Sequence, residues 1–230
     1  MTTADQGVDR AAATGVALEL AGVLKAFATP AGERRVLGGV DLSVEAGEVV
    51  AVAGRSGSGK TTLLTIVAGW ERPDAGSVVV AGAEGGPRRP AWSDVAVVPQ
   101  SLGLLEELTV AENVTLPGRL GNLRGAGDDP VALMRQLAVD QLADRHPSEI
   151  SLGEQQRAAV GRAAVVRPRL LLADEPIAHQ DLELAEAVMF LLRQLADGGT
   201  ACLVATHNEL AFEAADRVLE LHEGQLRPRA

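Results

Sequence analysis

Residues 47–70 read GEVVAVAGRSGSGKTTLLTIVAGW, and strand, loop and helix signals follow one another within that stretch. GEVVAVAG is a continuous apolar run, the pattern of a strand buried on both faces of a parallel sheet. Gly54, Gly57, Gly59, Lys60 and Thr61 then match the spacing G-x-x-x-x-G-K-T, and GKTTLLTIVAGW continues as a helix ended near Gly69. Glycine lets backbone N–H groups turn inward without a Cβ clash, and the helix N-terminus adds a favourable dipole. Lys60 is placed to reach the β- and γ-phosphates of a nucleotide, and the Thr61 hydroxyl to ligate Mg²⁺. Arg55, Ser56 and Ser58 in the loop, with Thr62 just after it, complete the set expected to line the nucleotide.

Further along, LLLADEP ends a second apolar strand in Asp174-Glu175. In a parallel sheet that end lies where ligands bind, so the two carboxylates are expected beside the phosphate loop. Asp174 suits a Mg²⁺ shell, and Glu175 suits a base that takes the proton of a water attacking the γ-phosphorus. Alone, an Asp-Glu pair after a strand reads equally as a helix cap or a solvated edge; the loop upstream gives it meaning. VAVVP and TACLVATH are further buried strands, and LELAEAVMFLLRQLAD, stopped by Gly198 and Gly199, is an amphipathic helix. This alternation defines an α/β fold with a parallel-sheet core.

Outside the core the character changes twice. From about residue 16 to 47, short β-like segments (VALEL, VDLSV) separated by Gly and Pro suggest an antiparallel N-terminal sheet. At about 101–160 helix signals replace strands: Thr109 with Glu112 and Ser151 with Glu154 fit capping boxes, and Asp129-Pro130 fits an N-cap with proline at N1. An inserted helical lobe is expected there, with GRLGNLRGAGDDP as a flexible loop inside it. Residues 1–15 read as a polar tail without the pattern of a secretory signal, leaving 16–230 as one domain.

Composition narrows the function. A 230-residue chain that is 47% hydrophobic can bury a large core, yet no apolar run approaches the roughly 20 residues that span a bilayer. The cytosol is the default compartment. A formal charge of −10 and 2% aromatic content argue against nucleic acid as a partner, since both phosphate neutralisation and base stacking are poorly supplied. The single cysteine, Cys202, lies in an apolar strand and reads as a small core residue.

The order of P-loop, Gln100, ISLGEQQR, LLLADEP, Asp181 and His207 resembles the nucleotide-binding domain of ABC transporters, over nearly the whole chain from about residue 16. The resemblance implies a P-loop NTPase with a RecA-like core and an ATP-hydrolysing function. It implies that Gln100 links Mg²⁺ and water to the helical lobe, that His207 contacts the γ-phosphate, and that an upstream aromatic stacks on adenine. Phe27 is the only aromatic before Gly54. Read singly, these three are equally a solvated Gln, a cap-region His and a core Phe. It further implies that a second ATPase subunit pairs head to tail, with Ser151, Gly153 and Glu154 closing over ATP on the partner's P-loop and Asp181 in the interface loop. A separate membrane permease would dock on the lobe around residues 100–114, where Leu102, Leu104 and Leu105 cluster, holding the chain at the inner face of the cell membrane. LLEELTVAENVTLP with LADEP looks most like the lipoprotein-releasing and macrolide-export group. Relatives driving cell-wall regulation or iron–sulfur assembly, and a nucleotide switch with weak hydrolysis, are the alternatives.

Two segments depart from the family's pattern. The usual L-S-G-G-Q/E is here Ile150-Ser151-Leu152-Gly153-Glu154, and PIAHQD stands where P-T-S/G-x-L-D is common, so Ile177 and Gln180 differ while Asp181 persists. If the first signature glycine needs a left-handed backbone, leucine there costs about 1–2 kcal/mol. The opposite expectation is that Leu152 points away and packs on the lobe.

Overall fold

The computed structural model describes residues 15–30, 32–80, 94–120 and 128–229. All but Gly15 of the expected tail, and residues 121–127 of the expected lobe loop, lie outside them.

The apolar run after Gly47 forms strand β3 (Val49–Ala53), buried throughout. Before it come β1 (Val16–Thr29) and β2 (Gly32–Glu45), and after it helix α1 (Lys60–Val67) and β4 (Ala75–Val80). Strands β2-β1-β4 make a three-stranded antiparallel sheet. The short segments expected there are parts of two 14-residue strands. Gly22, at φ 59°, sits where the β1 register shifts between Leu20 and Val23, so glycine here makes a bulge and not a strand end. The Gly22 N–H is satisfied by Asp41 Oδ1 at 2.7 Å.

The second sheet contains β3 with β5 (Val95–Val98), β6 (Leu170–Asp174), β7 (Ala201–Ala205), β8 (Arg217–His222) and β9 (Gln225–Pro228), in the order β5-β6-β7-β3-β8-β9. All its pairings are parallel except the terminal β8–β9 hairpin. Period-two alternation divides the core between the sheet's faces. Leu170, Leu172 and Leu203 join α1 and the antiparallel sheet. Leu171, Ala173, Cys202 and Val204 join the helical side. Cys202 is fully buried, and burial pushes its thiol pKa up to about 12, so it is an inert core residue.

Between β5 and β6 lie α2 (Val110–Arg119), α3 (Pro130–Gln136) and α4 (Leu152–Ala164); α5 (Leu182–Asp197) and α6 (Glu209–Glu213) follow β6 and β7. The capping chemistry read from sequence appears in full. Thr109 and Ser151 each form reciprocal boxes with Glu112 and Glu154, and Asp129 caps α3 with Pro130 at its start. Such caps contribute about 1 kcal/mol each and fix where each helix begins. No helix among the described residues is long and apolar enough to cross a membrane.

Candidate active site

The loop from Gly54 to Gly59 turns between β3 and α1 on three positive-φ glycines. Two are irreplaceable for space as well as for φ. A Cβ on Gly54 would meet the Leu221 carbonyl oxygen at 2.9 Å, and one on Gly59 would lie 2.7 Å from Val36 Cγ1. The buried Lys60 ammonium is held across this loop, donating to the Gly54 carbonyl at 2.7 Å. The next residue joins the two strand ends: Thr61 Oγ1 donates to Asp174 Oδ2 at 2.6 Å. Burial raises the Asp174 pKa above the ordinary carboxylate value, opposed by the Thr61 hydrogen bond.

Glu175 leaves β6 in a left-handed backbone (φ 52°), a strained geometry that collects at functional sites. Its N–H donates to the Ala205 carbonyl at 2.8 Å, which ties it to β7. Thr206 Oγ1 donates to Glu175 Oε2 at 2.9 Å, and His207 Nδ1 lies 2.8 Å from Oε1. With Glu175 as a carboxylate, which only accepts, His207 Nδ1 is the donor in that contact. His207 does not cap α6; Asn208 does, and the His207 ring stays exposed.

Gly54, Gly59, Lys60, Thr61, Asp174, Glu175 and His207 share one cavity of about 840 Å³ with the loop residues Arg55, Ser56 and Gly57, and with Thr62, Gln100 and Phe27. Ser58 is not among its lining residues. Phe27 forms a ring face 5.2 Å from the Lys25 ammonium, which Glu71 and Asp74 hold in place. Opposite Phe27 across the β1–β2 ladder stands Arg34, whose guanidinium donates to the Gly57 carbonyl at 3.2 Å. Sequence reading missed Arg34, which reaches the cavity across the β1–β2 ladder, and Thr206, which is buried beyond the end of β7 and acts through its hydrogen bond to Glu175.

Ser151, Gly153, Glu154 and Asp181 line a second cavity of about 430 Å³ at the start of α4. The Ser151 hydroxyl is engaged within the turn, donating to Glu154 Oε2 at 2.8 Å, and its bonds hold the Glu154 carboxyl below its usual range. Asp181 caps α5 through Leu184. Leu152 corrects the strain expectation: it is the first residue of α4 and is not among the described residues of positive φ. Nor does it pack away, since it is 49% exposed and reaches both cavities. The helix N-terminus supplies the backbone turn, and leucine adopts it without penalty.

A glycine loop on a helix N-terminus, a lysine across it and paired carboxylates at the neighbouring strand end define a nucleoside-triphosphate hydrolase site. The ABC transporter family model matches residues 37–178, and the chain belongs to that family as an ATP-binding, ATP-hydrolysing subunit of a membrane transporter. It is 44% identical to the lipoprotein-releasing system ATP-binding protein LolD of Ruegeria pomeroyi (strain ATCC 700808 / DSM 15171 / DSS-3), over 91% of this chain and 96% of that protein. The dimeric structure of MJ0796, a bacterial ABC transporter cassette, superposes with a TM-score of 0.83 at 28% identity, over 91% of this chain and 96% of that one. A post-hydrolysis dimer of the same cassette bound to ADP and Pi gives 0.82 at 28% identity, with the same coverage. Cassettes of this family dimerise and partner with membrane permeases.

Proposed function

We propose that this chain powers a separate permease of lipoprotein-release type, working as a head-to-tail pair of subunits at the inner face of the membrane. The observation that carries the catalytic part is the junction of Thr61, Asp174 and Glu175, where the phosphate loop and the β6 end meet within hydrogen-bond distance. The kinship with LolD supports the choice of transport class.

In this reading residues 16–230 act as one ATPase domain, with the helices between β5 and β6 as its lobe. Phe27 stacks on adenine, while Gly54, Gly57, Gly59 and Lys60 hold the triphosphate. Thr61 and Asp174 offer adjacent oxygen donors, with Gln100 on the same cavity wall, a set that fits a hard divalent cation such as Mg²⁺. When bound, that ion neutralises charge on the β- and γ-oxygens. Glu175 accepts a proton from the water as its oxygen bonds to the γ-phosphorus and the bridging P–O bond breaks, its electron pair leaving with ADP. Thr206 and His207 hold the carboxylate for that task. In the pair, the turn at Ser151 and Gly153 closes over ATP held by the other subunit, and Asp181 lies in the interface loop.

The permease meets the lobe through the segment after Gln100. Leu102 is buried and Leu104 half-buried against the core, which leaves Leu105 as the leucine presented outward. Asn113 fixes that loop, accepting from the Leu105 N–H at 2.8 Å and donating to the Leu105 and Leu108 carbonyls. The test is purification of the tagged chain from detergent-solubilised membranes with crosslinking. A partner with several long apolar helices, crosslinked to residues 100–114 and stimulating ATP hydrolysis, is expected. A partner whose crosslinks all avoid the lobe defeats this docking assignment.

A further inference from the structure

We propose that Gln180 is a positioning residue that bolts the start of α4 to the loop carrying Glu175, so that both segments of one chain move as a unit. The inference deepens the function proposed above and rests on its head-to-tail pairing for its consequence at the second ATP site.

The amide of Gln180 is used at both ends. Its Nε2 donates to the Gly153 carbonyl at 2.8 Å, and its Oε1 accepts from Arg157 Nη1 at 2.6 Å. Arg157 is buried, and its Nε donates to the Leu137 carbonyl at 2.7 Å, so the clamp is anchored in the lobe. At the other end of the same loop, Gln156 of α4 donates to the Glu175 carbonyl. Residues 175–180 are therefore fastened to one turn of α4 at both of their ends.

Contact at Gly153 is also steric, because a Cβ there would lie 3.0 Å from the His179 carbonyl oxygen and 3.3 Å from Gln180 Nε2. Leucine, which relatives often carry in place of Gln180, has neither donor nor acceptor and would leave a buried guanidinium and a carbonyl without these partners. The departure at Gln180 thus has a function of its own. A shift of the Glu175 loop during hydrolysis at one site is passed rigidly to the Ser151–Gly153 turn, which faces ATP on the other subunit.

Two substitutions divide the clamp. Gln180→Leu removes both contacts, whereas Gln180→Glu keeps an acceptor for Arg157 and loses the donor to Gly153. In the nucleotide-free full chain, hydrogen–deuterium exchange over residues 150–157 is expected to speed up about tenfold in both variants, with residues 47–67 unchanged. In a Glu175→Gln background, the ATP concentration for half-maximal dimerisation should rise about tenfold. With Glu175 intact, KM should rise more than kcat falls. Exchange at 150–157 equal to the parent in both variants overturns the clamp. Faster exchange with unmoved dimerisation and KM reduces Gln180 to a purely structural residue and also overturns the proposal. If the parent Glu175→Gln chain does not dimerise with ATP, the head-to-tail reading fails, and exchange together with KM still decides Gln180. Should the leucine variant not fold, the glutamate variant carries every arm.

Discussion

The phosphate loop and the start of α4 are both helix N-termini built around glycine, yet one keeps its family pattern and the other does not. In the loop, Gly54 and Gly59 combine positive φ with backbone or β2 side-chain atoms less than 3 Å from where a Cβ would stand. At α4, Ser151 and Glu154 form the cap, Gly153 packs on His179, and the Leu152 side chain projects outward. The contrast teaches that a glycine pattern survives where geometry uses the missing Cβ, and relaxes where a side chain can point into open space. The departure at Gln180 supplies polar contacts between the start of α4 and the loop that follows β6.

The loop side of this comparison should break hardest. Lys60→Ala removes the cation held across the loop, and ATP binding together with hydrolysis is expected to be lost in a titration and a turnover assay. Unchanged affinity and turnover would contradict the site. Glu175→Gln keeps binding but cannot accept the water's proton, so turnover should fall roughly 10²–10⁴-fold while the ATP-bound dimer accumulates. A decrease smaller than about threefold removes Glu175 from the base role, given that range.

A smaller effect separates space from backbone conformation. Gly59→Ala meets both a φ of 109° and the Val36 side chain, whereas Gly199→Ala meets a φ of 99° with no atom within 4 Å of the added Cβ. Gly59→Ala is expected to weaken ATP affinity about tenfold and also lower stability. Gly199→Ala should leave affinity alone and lower the melting temperature by only a few degrees, the size expected for about 1 kcal/mol. Equal losses of affinity in the two variants would show that the Val36 contact is unimportant.

The same contrast explains what the sequence made legible. The P-loop, the strands at 49–53, 170–174 and 201–205, and three helix caps are local patterns, so a one-dimensional reading reaches them. β8 and β9 were missed because Glu223 and Gly224, both of positive φ, form the turn between them, and Glu-Gly is not the Asn-Gly or Asp-Gly pair that marks such a turn in sequence. Arg34 enters the cavity because it pairs with Phe27, and Gln180 meets Gly153 across 27 residues of chain. No spacing rule covers such contacts, since they arise from tertiary packing of separate elements. The expected strain at Leu152 failed for a related reason: the family's glycine suggested a special φ, while the cap residues Ser151 and Glu154 impose an ordinary helical start.

Leu152→Gly sharpens the comparison at its weak end. Relief of a left-handed leucine would raise the ATP-bound dimer roughly tenfold, since about 1.4 kcal/mol corresponds to that factor. Here there is no such strain to relieve, because the residue already opens α4 with its side chain half in solvent. Glycine at a helix position instead costs up to about 1 kcal/mol through backbone entropy, and less in the first turn than in the interior. The expected result is a melting temperature lower by a degree or two, with dimerisation in a Glu175→Gln background shifted less than about threefold. Thermal denaturation and an ATP-dependent sizing experiment on the same pair of proteins measure both. A tenfold gain in dimer would mean that Leu152 obstructs the partner's approach by its bulk, placing the cost at the interface between subunits and not in the fold of one chain.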